Sequence, residues 1–173
     1  MKFYSKKIDD PIYGHFDSQT EFDYFKVLLK LQENGEIKDL ERQIEFELIP
    51  SFKDSSLTTV RKMCYTSDFT YFNVATNKKI IVDCKGSAFC IDEKFRVKFK
   101  LLKYLQKDEK DIQYAIVIKY KDKWYDLENK ESSKEYRTLH AEDNKKKKAK
   151  KEARDKLKAE KPVVKKKSVS KKK

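Results

Sequence analysis

Ile80-Ile81-Val82-Asp83-Cys84-Lys85 is the stretch on which the fold turns. An apolar run of this length, closed by an acid and an amine and followed by Gly86, reads as a buried strand. Side chains alternate across a strand, so Ile80, Val82 and Cys84 share one face while Ile81, Asp83 and Lys85 share the other. Near a strand end, a carboxylate and an ammonium on one face can hold a divalent cation and a water that loses a proton. An ordinary salt-bridged pair is the plainer reading of the same two residues.

Just upstream, Ala75-Thr76-Asn77-Lys78 is short and polar enough for a hairpin turn, which pairs Lys79–Lys85 with a strand over Val60–Val74. Asp68, in Tyr65-Thr66-Ser67-Asp68-Phe69, then lies close enough to Asp83 to share a cation. Two carboxylates, waters and a phosphate oxygen suit the octahedral oxygen coordination of Mg²⁺.

Further out, Ile44, Phe46 and Leu48 alternate with Glu45 and Glu47, a half-buried strand over Leu40–Leu48 that Pro50 ends. Ahead of it, Phe22, Phe25, Leu28 and Leu29 fall on one face of a helix over Ser18–Gln32, with Asn34-Gly35 as its stop. Ser18 and Glu21 have the spacing of a capping box, which gives Glu21 a purely structural reading. Downstream, Val97, Leu101, Leu102 and Leu105 predict a helix over Lys94–Gln106. Tyr114–Ile118 suits a central strand, and Lys119–Leu127 an edge strand. The class is therefore α/β, with a mixed central sheet in the order αβββαβ. Residues before Ser18, with Pro11 and Gly14, read as a polar lead-in, and Ser51–Thr59 as a loop.

The chain has 173 residues, 38% of them hydrophobic, which is enough for one folded domain and a modest core. Its net charge of +13 is unevenly spread. Residues 141–173 hold 16 Lys/Arg against 5 Asp/Glu, leaving 26 against 24 to residues 1–140. The boundary is set at 1–130 for the folded domain and 131–173 for a basic tail, a mobile extension that is either disordered or partly helical, the helix then running from about Ser133 to Ala159. Lys145, Lys146, Lys147 and Lys148, with Lys165–Lys167 and Lys171–Lys173, form a polycation suited to a phosphate backbone, without sequence readout. A tail that aids solubility or meets an acidic protein is the competing reading.

Three cysteines, Cys64, Cys84 and Cys90, without a CxxC pair argue against a disulfide framework or a zinc site and fit a reducing compartment. The N-terminus lacks the apolar region of a leader, and no window of about 18 apolar residues suggests a membrane span. With three glycines there is no phosphate-binding glycine loop, so NTPase and dinucleotide chemistry are excluded. His15 and His140 are read as isolated surface or loop residues, and Trp124 as packing.

Over residues 14–120 the chain carries a further pattern. Asp68…Asp83-Cys84-Lys85, in the order helix, three strands, helix, strand, resembles the PD-(D/E)xK nuclease superfamily. Phe16-Asp-Ser-Gln-Thr-Glu21, Gly35-Glu-Ile37, Leu40-Glu-Arg-Gln43, Tyr65-Thr-Ser-Asp-Phe69 and Val82-Asp-Cys-Lys-Gly86 resemble more closely a phage-associated family of small nucleases, DUF1064. Ser67 stands where the superfamily name has Pro, and Asp83 where Glu is frequent. The resemblance implies a metal-dependent DNA endonuclease that hydrolyses phosphodiester bonds with Mg²⁺, Mn²⁺ being an expected substitute.

In that reading Asp68, Asp83, Glu21 and the backbone carbonyl of Cys84 hold the metal, while Lys85 positions or activates the attacking water. Gln43 and Lys98 meet the phosphate backbone or a water; for both, an ordinary surface residue is the alternative. Relatives that resolve junctions imply branched DNA, such as a Holliday junction in phage replication or recombination, a homodimer, and the host cytoplasm. Two other classes stay open: a catalytically idle nucleic-acid-binding module, and an interaction protein that works through its basic tail.

Overall fold

The computed structural model describes residues 6–159. These fall into two compact units that divide between Ser133 and Lys134. The first unit opens with a short hairpin of β1 (Ile8–Asp10) and β2 (Gly14–Phe16), where a featureless lead-in was expected. Helix α1 (Gln19–Glu33) follows, and then β3 (Ile37–Ile49). A second hairpin, β4 (Phe52–Lys53) and β5 (Thr59–Val60), replaces the expected loop. Strands β6 (Met63–Asn73) and β7 (Lys78–Lys85) come next. A 3₁₀ turn (Ala88–Cys90) leads to α2 (Glu93–Leu105), β8 (Ile112–Tyr120) and β9 (Lys123–Asp126). Helix α3 (Lys130–Ala159) starts on Asn129, whose Oδ1 accepts the N–H groups of Glu131 and Ser132, each at 3.0 Å. Its start precedes the expected one at Ser133 by one turn, and the expected lysine runs beyond Ala159 lie outside the described residues.

The central sheet has the order β3-β6-β7-β8-β9. β7 and β8 are parallel, with α2 as the crossover, and the other pairs are antiparallel. This is the mixed α/β class expected, with β9 as the edge strand. The predicted alternation of β7 also holds. Ile80, Val82 and Cys84 pack with Tyr24, Phe25 and Leu28 of α1, whereas Ile81 packs with Phe99 and Leu102 of α2. The sheet is thus covered on both faces, which is why β7 and β8 read as continuous apolar runs.

Both helices start on side-chain caps. Ser18 Oγ accepts the N–H of Glu21 at 3.1 Å, and Asp92 Oδ1 that of Phe95 at 2.7 Å, so each satisfies a donor with no intrahelical partner. Arg42 ties the β1–β2 hairpin to the sheet: its guanidinium lies 3.7 Å from the Phe16 ring centroid and donates to the carbonyls of Tyr13 and His15, each at 2.5 Å. His15 is not isolated. It pairs with Asp9 at 2.7 Å and Asp17 at 3.5 Å, which hold its pKa above the ordinary value. Trp124 packs on Tyr24, ring centroids 4.8 Å apart, as a packing role requires. Among the described residues no helix is long and apolar enough to cross a membrane.

Candidate active site

The site forms where the sheet comes apart. The β6–β7 ladder runs from Asn73↔Lys78 to Phe69↔Val82 and stops there. At the next position Asp68 Oδ2 accepts the Cys84 N–H at 2.6 Å, so a carboxylate takes a backbone donor of β7. On the other side of β6, the register Arg42↔Phe69 and Ile44↔Ser67 sets Gln43 opposite Asp68. Gln43 has φ 53°, a left-handed backbone in mid-strand. Alternation changes face here on both strands. Arg42 lies over Phe16 on the α1 side, yet Phe46 and Leu48 pack on the α2 side. Likewise Phe69 belongs to the α1 side and Tyr65 to the α2 side, although strict period two would put them together.

That change of face brings Tyr65 to Asp83. Tyr65 Oη donates to Asp83 Oδ1 at 3.1 Å, inside the protein. Asp83 is 3% exposed, and its Oδ2, otherwise without a hydrogen-bond partner, is ion-paired with the Lys85 ammonium. Lys85 Nζ also lies 4.4 Å from the Phe95 ring centroid, a cation–π contact that holds the amine against α2. Glu21, at the start of α1, is buried. Its Oε1 accepts the Ser18 hydroxyl at 2.8 Å and its Oε2 the Asp17 N–H at 3.3 Å. The capping reading of Glu21 therefore holds, with the reciprocal bond made to the residue before the cap.

The three carboxylates crowd one another electrostatically. Burial, then the charges of Asp83 and Glu21, push Asp68 up to about 8, and the Cys84 N–H only partly offsets them. Burial raises Glu21, with its bond from Ser18 opposing, and raises Asp83 against the opposing Lys85 charge. Burial works against a charged Lys85, but the Asp83 carboxylate outweighs it and holds its pKa above the ordinary value. Three acids share one nearby amine, and one acid resolves the repulsion by keeping its proton near neutrality.

This donor set, hard oxygens with surplus negative charge, fits a hard divalent cation. Asp68 and Asp83 are the residues that would hold it. Among the described residues no three His, Cys, Asp or Glu side chains converge as a ready metal cage. The reason lies in two contacts: Asp83 Oδ2 is turned to Lys85, and both oxygens of Glu21 serve the start of α1. Cys84 is buried with its side chain on the α1 face, and its N–H is the group that Asp68 takes.

The outer candidates are placed differently. Gln43 is exposed opposite Asp68 and makes no side-chain hydrogen bond among the described residues. Lys98 is half-buried on α2 and donates to the Cys64 carbonyl at 2.7 Å, so the fold already uses its ammonium. Lys145–Lys148 are exposed on α3 in the second unit. Tyr65 was not anticipated. Its position, three residues before Asp68, carries no signal in the period-two pattern, which assigns it to the wrong face.

Fold and site together define a mixed-sheet α/β protein with clustered acids and one lysine where two central strands part. The chain belongs to the family described as Protein of unknown function (DUF1064), whose profile matches residues 1–122. No curated protein and no solved structure matches the chain.

Proposed function

We propose that this chain is a metal-dependent DNA endonuclease that hydrolyses phosphodiester bonds at the Asp68, Asp83 and Lys85 cluster. The observation that carries the reading is Asp68. Its carboxyl is held beside two other acids, at a strand break, with a raised proton affinity that the Cys84 N–H and the Lys85 charge only partly offset. Acids arranged against their own ionisation are characteristic of functional sites, because a purely structural carboxylate is matched by a counter-charge.

Each side chain then has a task. Asp68 and Asp83 hold the cation, Mg²⁺ or Mn²⁺, which when bound supplies Lewis-acid neutralisation of charge developing on the phosphate. Tyr65 fixes one Asp83 oxygen, and Lys85 is ion-paired with the other. Lys85, cationic at neutral pH because Asp83 faces it, stabilises negative charge on the attacking oxygen or the phosphate rather than accepting a proton. Glu21 orders the start of α1 and adds to the negative potential that attracts the cation. Gln43, opposite Asp68 with its amide unengaged, is placed to meet a phosphate oxygen or a water. The exposed lysines of α3, Lys145–Lys148 among them, add a sequence-independent attraction to the DNA backbone. Branched DNA cut by a homodimer during phage replication or recombination, in the host cytoplasm, is the biological setting that the nuclease resemblance suggests.

One observation favours a second reading, an idle nucleic-acid-binding module: both oxygens of Glu21 are engaged in helix capping and the acids do not converge as a cage. Labelled duplex and four-way junction incubated with Mg²⁺ or Mn²⁺ separate the two. The nuclease cuts, EDTA stops it, and Lys85→Ala lowers the rate by about a hundredfold or more, as loss of a charge-stabilising donor does. Binding without cutting in both metals supports the idle module instead.

A further inference from the structure

The hairpin β4–β5 belongs to neither face of the core. The chain leaves the central sheet after Ile49, makes this separate two-stranded ribbon, and re-enters at Met63. Its turn is closed by Asp54, whose Oδ1 accepts the Ser56 N–H at 2.9 Å, the Ser56 hydroxyl at 2.6 Å and the Thr58 N–H at 3.0 Å. Backbone bonds Leu57 N–H to Asp54 O and Asp54 N–H to Thr58 O, each 3.0 Å, complete it. Phe52 and Val60, directly opposed across the ribbon, form its stem.

Leu57 stands in this turn with φ 62° and 76% of its surface exposed. Neither fact serves the fold. A left-handed backbone disfavours a branched side chain, and Gly or Asn would close the same turn without strain. An apolar group left in water gives up the stabilisation that burial would bring. A strained, outward-facing leucine on a well-bonded turn is a group presented to something outside the chain.

We propose that β4–β5 is a DNA-contacting arm with Leu57 as a wedge that enters the base stack of a distorted or branched duplex. The proposal rests on the nuclease reading for its substrate class. The arm's charge selects this occupant. Residues 50–62 carry Lys53, Arg61 and Lys62 against one acid, Asp54, whose carboxylate is engaged in its own turn. Lys62 pairs with Glu45, while Lys53 and Arg61 make no ion pair among the described residues. Ser55 and Thr59 add hydroxyls that make no hydrogen bond among the described residues, while those of Ser51, Ser56 and Thr58 are engaged within the hairpin. Basic and hydroxyl groups around one apolar tip match a phosphate-lined groove with a wedge between base steps. Reach also fits. Leu57 and Asp68 are eleven residues apart along one chain, at most about 36 Å when extended, or roughly one turn of B-DNA.

The test uses full-length Asp83→Ala protein, so that no cutting intervenes, and four-way junctions carrying 2-aminopurine at successive steps within one turn of the branch. Leu57 protein raises emission twofold or more at one step. Adding Leu57→Asn, which tolerates the left-handed backbone, removes that rise, weakens binding by less than tenfold, and melts no lower than its parent. Equal emission from both proteins, no rise with either, or no binding overturns the proposal. So does a change in sedimentation showing that Leu57 holds a second copy of the chain. Failure of the nuclease reading is seen separately, as wild-type protein that leaves the same junction uncut in Mg²⁺.

Discussion

Asp68→Asn removes the titrating carboxyl from the crowded cluster while an amide oxygen still accepts the Cys84 N–H, so it isolates the electrostatic strain of the site. In the folded metal-free protein Asp68 holds its proton up to about pH 8, against an ordinary value of 3.8. A carboxyl raised on folding contributes stability that is complete below the unfolded pKa and is lost as pH rises through the folded one. Across pH 4–8 the loss approaches about 1.4 kcal/mol per pH unit if Asp68 alone takes up the proton. Asp83 and Glu21 titrate with it, so roughly half the full span, about 3 kcal/mol, is the expected difference at pH 8. For a chain of this size that is roughly 10 °C in melting temperature. Thermal unfolding in EDTA from pH 5 to 9 measures it. Wild type falls steadily across that range, and Asp68→Asn stays flatter and ends more stable. Mg²⁺ restores the wild type and not the variant, since a ligand held by the native state stabilises it by mass action. Parallel curves for the two proteins, or a wild type that gains stability up to pH 9, refute the crowding on which the site rests.

Three further outcomes follow from named contacts. Tyr65→Phe removes a donor to Asp83 and costs about 1 kcal/mol in urea unfolding. In the same variant the acid limb of the pH–rate profile moves upward, because Asp83 loses a bond that favours its charged form. Gln43→Gly relieves a left-handed backbone, raising stability by about 1 kcal/mol in the same assay while cutting slows, opposite signs that a purely structural residue does not give. Deletion of residues 141–173 leaves cutting in place but weakens DNA binding, and the plot of log K against log salt becomes shallower by several charges.

Much of this was legible in the residues. The alternation of Ile80–Lys85 placed Asp83 and Lys85 on one face, and the hairpin turn after Val74 brought Asp68 to the neighbouring strand. The cap pair Ser18 and Glu21 was legible too, because capping is a local rule that tertiary packing leaves intact. The two small hairpins were not. Strands of two or three residues are too short for any period to register, and β4–β5 is closed by the side chain of Asp54 instead of by a glycine turn. Tyr65 was hidden for a different reason: the change of face at Gln43 and Asp68 depends on a left-handed backbone at a non-glycine residue, for which the sequence offers no marker. The bond from Lys98 to the Cys64 carbonyl was hidden as well, since it is a tertiary contact that charge in the sequence does not mark.

Conversion of supercoiled plasmid in Mg²⁺, by wild type and by Asp83→Ala side by side, is the most direct measurement. The proposed nuclease yields nicked and linear plasmid with the wild type and leaves it intact with Asp83→Ala, with EDTA abolishing the difference. Plasmid that the wild type binds but leaves supercoiled in both Mg²⁺ and Mn²⁺ contradicts it.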